Sequence, residues 1–128
     1  AYHALKSRAS DSIRIGLAHR LDIFTPYNPD NYFDRMIAKA ANDNFNWSIP
    51  NAIETGVLDV DVPFFKDIHE EMPEVKGTQD YFGFNYYTRM ALEFLLPEAD
   101  VKDRPSPGTR EITEMGWEMY PEGFYQTV

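Results

Sequence analysis

The chain has 128 residues, the length of one domain, and a formal net charge of −9 from 12 Lys and Arg against 21 Asp and Glu. That balance argues against nucleic acid and anionic membrane as partners. The lack of cysteine excludes a disulfide framework and a thiolate metal site. With no signal peptide, membrane-spanning run, internal repeat or low-complexity tract in view, the expectation is a cytoplasmic protein that uses neither cofactor nor metal.

Tyr2, Leu5 and Ala9 recur at helical spacing, and Ser10 and Asp11 break the pattern. Ile13–Ala18 reads as a buried strand, with His19–Pro29 following as a loop. Asn28-Pro29 is a good helix start, Asn as the cap and Pro in the first turn. Phe33, Met36, Ile37, Ala40, Ala41 and Phe45 then form one apolar stripe. Pro50 is expected to end or kink that helix, leaving Asn51–Thr55 as a short second turn closed by Gly56. Val57–Gly77 is acidic and carries Pro63 and Pro73, with helical turns expected over Phe64–Met72.

The segment Asp80-Tyr-Phe-Gly-Phe-Asn-Tyr-Tyr-Thr-Arg89 is apolar and aromatic with one polar residue, Asn85, inside it. That composition suits a strand buried on both faces, as in a parallel sheet. Alternation places Tyr81, Gly83, Asn85 and Tyr87 on one face and Phe82, Phe84 and Tyr86 on the other, which should pack against helices. Asn85 and Tyr87 fall at the carboxyl end of the strand, where α/β sheets and β/α barrels bind ligands. On the pattern alone two readings stand: both residues line a ligand site, or Asn85 satisfies backbone groups while Tyr87 fills core. Beyond an apolar run at 91–96, Asp100–Arg110 is rich in Pro and charge and reads as an exposed, mobile loop. His19, at the carboxyl end of its strand, either lines a cleft or serves structure.

Two segments carry a resemblance. Asp80, Phe82, Gly83, Asn85, Tyr87 and Thr88 match a D-F-x-G element followed by N-x-Y-T/S. Met115, Gly116, Trp117, Glu118, Pro121, Gly123 and Tyr125 match M-G-W-E-x-x-P-x-G-x-Y in full. Both resemble glycoside hydrolase family 1, the retaining β-glycosidases of β-glucosidase type. Ile15, Gly16, Leu17, Phe24 and Pro26 fit the family's fifth-strand pattern, and Phe45, Asn46, Ile53 and Gly56 fit a helical run after it. Arg20 departs from that pattern, which often has Asn there. The resemblance implies an α/β fold: part of a (β/α)8 TIM barrel, from about strand five to the start of helix six, with residues 1–128 a single segment of the catalytic domain. A complete barrel needs about 250 residues.

The family's chemistry is double displacement by two carboxyls roughly 5 Å apart. Ile112-Thr-Glu-Met-Gly116 imitates the nucleophile motif I-T-E-N-G, but the continuation through Trp117 to Tyr125 identifies it as the loop before helix six. The N-E-P acid/base motif is absent as well. The resemblance therefore implies no catalytic residue in this chain and no hydrolysis by it alone. Tyr87 would hold the nucleophile in place, Asn85 would lie in the floor of the sugar site, and Trp117 would form an aromatic wall on the leaving-group side. His19 is a weaker substrate-contact candidate. The implied partners are a β-glucoside or oligosaccharide in the intact enzyme. Uncovered strand edges would add complementary barrel fragments or a second copy of the chain. A non-catalytic carbohydrate-binding or barrel-assembly role is the alternative.

Overall fold

The computed structural model describes residues 1–10, 12–96, 100–108 and 111–127. Its elements are α1 (Tyr2–Lys6), β1 (Gly16–Pro26), α2 (Tyr32–Thr55), β2 (Val57–Val60), β3 (Ile68–Glu71), β4 (Tyr81–Leu95), β5 (Asp100–Arg104) and α3 (Glu122–Gln126). A three-stranded sheet has the order β1-β4-β5, and β2-β3 form a separate pair. β1 and β4 are parallel and α2 lies between them in sequence, so the fold is mixed α/β around one strand–helix–strand crossover. β5 pairs antiparallel with β4.

The core lies where α2 crosses this sheet. Ile37, Leu92 and Phe94 are buried there, with Phe24, Phe33, Met90 and Val101 packed against them. Asp34, also buried, accepts from the Asn28 amide at 3.0 Å and the Phe94 amide at 2.9 Å. One carboxylate thus ties the first turn of α2 to the loop before it and to β4.

The strand expected over 13–18 starts and ends later. Gly16 to Pro26 pair with Tyr81 to Leu92, so His19 and Arg20 sit mid-strand and not in a loop. Local apolarity marks only the start of β1; its second half is a strand because β4 supplies partners. The register shifts between Leu21 and Ile23, where Asp22 faces both Tyr87 and Thr88.

Helix α2 begins one turn later than expected. Asn31 is the cap, its side chain accepting from Phe33 N at 2.9 Å, while Asn28 folds the approach by accepting from Asp30 N. The helix then continues through Pro50 to Thr55 and closes on Gly56 in the left-handed conformation (φ 82°). Proline withholds the amide that the Asn46 carbonyl would receive. His19 Nε2 fills that vacancy at 3.0 Å. A carbonyl only accepts, so Nε2 carries the hydrogen.

Three asparagines, 42, 44 and 46, join α2 to its surroundings. Each side-chain amide pairs with both the N–H and the C=O of one backbone residue. Asn42 takes Phe24, Asn44 takes Asp61 and Asn46 takes Asp22. Asp22 and Phe24 belong to the edge of β1 turned away from β4, so two side chains stand in for a neighbouring strand.

Residues 57–71 form a hairpin in place of the expected helical turns. Pro63 and the left-handed Phe64 (φ 71°) break any helix, and Asp59 faces His69 across the ladder, in contact at 2.5 Å. The expected loop at 100–110 contains β5. Its alternation brings Val101 to the core and Arg104 to Glu93 at 2.7 Å. Thr109 and Arg110 fall outside the described residues, as does Asp11. Burial of β4 on both faces is limited to its second half. Ala91, Leu92 and Phe94 are buried, while Tyr81, Asn85 and Tyr87 are exposed.

Asp80 pins α1 to the sheet. It accepts from Tyr2 Oη at 2.8 Å and the Ile15 amide at 2.7 Å, and pairs with Lys6 Nζ at 2.6 Å. Lys6 first, then the Ile15 amide and Tyr2, lower its carboxyl from 3.8 to about 2. A depressed folded pKa stabilises above the unfolded value, and that stabilisation disappears as pH falls from about 4 toward 2. Acid titration followed by circular dichroism should show a steeper loss of structure over that window in the native chain than in Asp80→Asn. Coincident acid limbs would count against the anchor.

Candidate functional site

Trp117 reaches β4 through a short, well-tied loop. Thr113 N donates to Trp117 O at 2.8 Å and Gly116 N to Thr113 O at 2.9 Å, so Thr113–Gly116 is a tight turn. Glu114 is exposed in that turn. Three tethers come from β4. Tyr86 Oη donates to Tyr120 O at 2.6 Å, and Thr88 Oγ1 donates to Glu118 O at 2.9 Å. Arg89 grips the Glu118 carboxylate with Nε (3.0 Å) and Nη2, its guanidinium lying 3.9 Å from the Tyr120 ring centroid. Glu118 is buried, and it raises the Arg89 pKa further above its ordinary value. Burial pushes the Tyr86 phenol up to about 12, so it remains a donor. A Cβ on Gly123 would strike the Tyr86 hydroxyl, which explains why this position has no side chain.

These tethers set Trp117 edge-on to Tyr87, ring centroids 5.6 Å apart. The guanidinium of Arg20 lies 5.3 Å from the Trp117 centroid, 5.4 Å from Tyr87 and 5.9 Å from Phe45. Its Nε donates to Asp22 Oδ2 at 2.7 Å. Asp22 is fully buried; burial pushes its carboxyl up and Arg20 pulls it back. Asn85 faces Arg20 across the ladder. The structure therefore gathers Asn85, Tyr87 and Trp117 around Arg20.

His19 is not in this group. It packs beside Phe82, which in turn lies against Trp47 of α2, and its Nε2 is spent on the Asn46 carbonyl. The cleft position expected for it depended on a strand ending at Ala18. In the longer β1, adjacent residues point to opposite faces, and His19 takes the helix side. Sequence reasoning passed over Asp22 and the pairing roles of Asn42, Asn44 and Asn46. The asparagines had a signal: three weak helix formers within five residues of an otherwise good helix. Asp22 had none, because a carboxylate in a presumed loop looks solvated.

A small cavity of about 80 Å³ adjoins Trp117, lined by Arg89, Arg104, Asp103 and Glu118 among others. A larger cavity, about 450 Å³, lies at the opposite end, where α1, Ile15 and Leu17 line the start of β1. Parallel strands bind ligands at their carboxyl ends, so the larger space is the weaker site candidate. Among the described residues no cluster of three or more His, Asp or Glu could hold a metal, and no helix is long and apolar enough to cross a membrane.

The β-galactosidase of Pyrococcus woesei is 28% identical over 94% of this chain and 26% of its own length. The chain is a relative of the β-glycosidases. It superposes on the β-glycosidase from Pyrococcus horikoshii with a TM-score of 0.73 at 26% identity, covering 99% of this chain and 28% of that one. The β-glucosidase from Thermotoga maritima, solved in complex with glucoimidazole, gives 0.70 at 24% identity over 97% of this chain and 29% of that one. The chain thus spans little more than a quarter of the β-glycosidases it matches. No protein-family model matches it.

Proposed function

We propose that this chain is the stretch of a retaining β-glycosidase barrel from about strand five to the start of helix six. β1 would be the fifth strand, α2 the fifth helix and β4 the sixth strand. The observation that carries the reading is the contact of Tyr87 with Trp117, one from each of the two matching motifs. Their rings meet beside Asn85, on the sheet face opposite Phe82, Phe84 and Tyr86. The large apolar side chains left exposed, among them Tyr32, Leu96, Met115 and Tyr125, support a segment that packs against further structure.

In the intact enzyme one Glu attacks the anomeric carbon, while another protonates the leaving group and then activates water. Neither role falls to a residue of this chain. Tyr87 would donate to the nucleophile carboxylate, Asn85 would supply polarity in the sugar site, and Trp117 would stack on the C–H face of the leaving group. The substrate is a β-glucoside or a related oligosaccharide, and the chain alone hydrolyses none. Tyr87→Phe in the intact enzyme should lower kcat about tenfold or more, the loss of one positioned hydrogen bond of about 1.4 kcal/mol. Its fold should stay intact by circular dichroism. Unchanged turnover would remove Tyr87 from the machinery.

A further inference from the structure

Arg20 changes what the Tyr87–Trp117 wall can accept. Its guanidinium lies over both rings, where the flat face of a neutral sugar or aryl group would stack. Asp22 holds only the Nε edge. No hydrogen bond from either terminal nitrogen is found among the described residues, and the side chain is 37% exposed. The two terminal nitrogens of the guanidinium fork are therefore available to a further acceptor, while the Nε edge is held by a fully buried carboxylate. Arg89 and Arg104, the neighbouring cations, are engaged by Glu118 and Glu93.

We propose that Arg20 makes this cleft selective for glycosides whose leaving group carries a carboxylate. Three features define the ligand. Tyr87, 51% exposed, leaves ring surface beside the guanidinium to take an apolar ring by contact. The fork takes a planar, bidentate anion coplanar with the guanidinium. Trp117, by its place in the proposed site, puts that anion on the leaving-group side. A planar carboxylate fits one fork, whereas a phosphate gains most where several cations converge, and the nearby guanidiniums are already paired. Asp22 reduces the net field but orients the donors, so the effect is a preference between ligands and not tight binding. The inference rests on the glycosidase reading of the site.

The test uses this chain with Trp47→Phe, so that Trp117 supplies the lone indole N–H resonance. It is titrated with 4-carboxyphenyl β-D-glucopyranoside and, separately, with neutral phenyl β-D-glucopyranoside. The carboxylate ligand should bind about fivefold more tightly, the scale of one partly exposed ion pair. The preference should vanish in Arg20→Gln and shrink without vanishing in Arg20→Lys, which keeps the charge but not the fork. Equal or weaker binding of the carboxylate ligand overturns the inference and leaves the glycoside reading standing. A preference undiminished in Arg20→Gln also overturns it. Binding of neither ligand overturns the inference and leaves the glycosidase reading to the Tyr87→Phe test in the intact enzyme.

Discussion

Replacing Arg89 with alanine should destabilise the chain by about 3 kcal/mol, the scale for removing one partner of a buried ion pair. The Glu118 side chain is only 4% exposed, so the substitution would strip its guanidinium from a carboxylate that water barely reaches. The contact of Arg89 with the Tyr120 ring is lost in the same step. Thr88 and Tyr86 still hold the backbone at Glu118 and Tyr120, so the loop should loosen and not detach. Trp117 would then lose its fixed position against Tyr87. Urea unfolding should show a lower midpoint, and the Trp117 indole signal should move toward that of solvent-exposed tryptophan. Arg89→Lys should fall in between, since it keeps the charge but not the two-pronged grip. A loss below about 1 kcal/mol would place the pair among surface ion pairs and remove its claim to position Trp117.

The second large effect concerns the edge of β1. Asn42→Ala with Asn46→Ala should cost about 3 kcal/mol and make the chain associate. Alanine is the better helix former, which returns up to about 0.7 kcal/mol per position. Against that, the N–H and C=O groups of Asp22 and Phe24 lose their partners, at about 1–3 kcal/mol for each group that water cannot reach. The loss wins. It also uncovers two rungs of strand edge, ready to pair with another chain. Sedimentation velocity should show stronger concentration-dependent association for the double variant than for the native chain. A double variant as stable and as monodisperse as the native chain would show that water, and not the asparagines, satisfies this edge.

That edge separates what was legible in advance from what was not. Fragment self-pairing is an expectation from the strand pattern, because sequence shows how many strands a chain has and not what lies along them. Asn42 and Asn46 meet the edge only because α2 runs beside β1, a matter of packing between segments some 18 to 24 positions apart. The same holds for Pro50. Its local rule, that proline ends a helix, fails here because His19 reaches across from β1 to take the carbonyl that proline strands.

By itself the sequence determined what depends on neighbours along the chain. The apolar stripe of α2, its closure at Gly56 and the alternation of β4 are local consequences of side-chain chemistry and backbone allowance. So are the two motifs that tie the chain to the β-glycosidases. The tertiary structure decided what depends on distance. Where β1 ends, that residues 57–71 pair as a hairpin, that Asp100–Arg104 is a strand, and that Arg20 lies against Tyr87 and Trp117 all follow from partners remote in sequence. A strand exists where another strand offers its hydrogen bonds. A site exists where separate segments bring their side chains within a few ångströms, and no local pattern records either meeting.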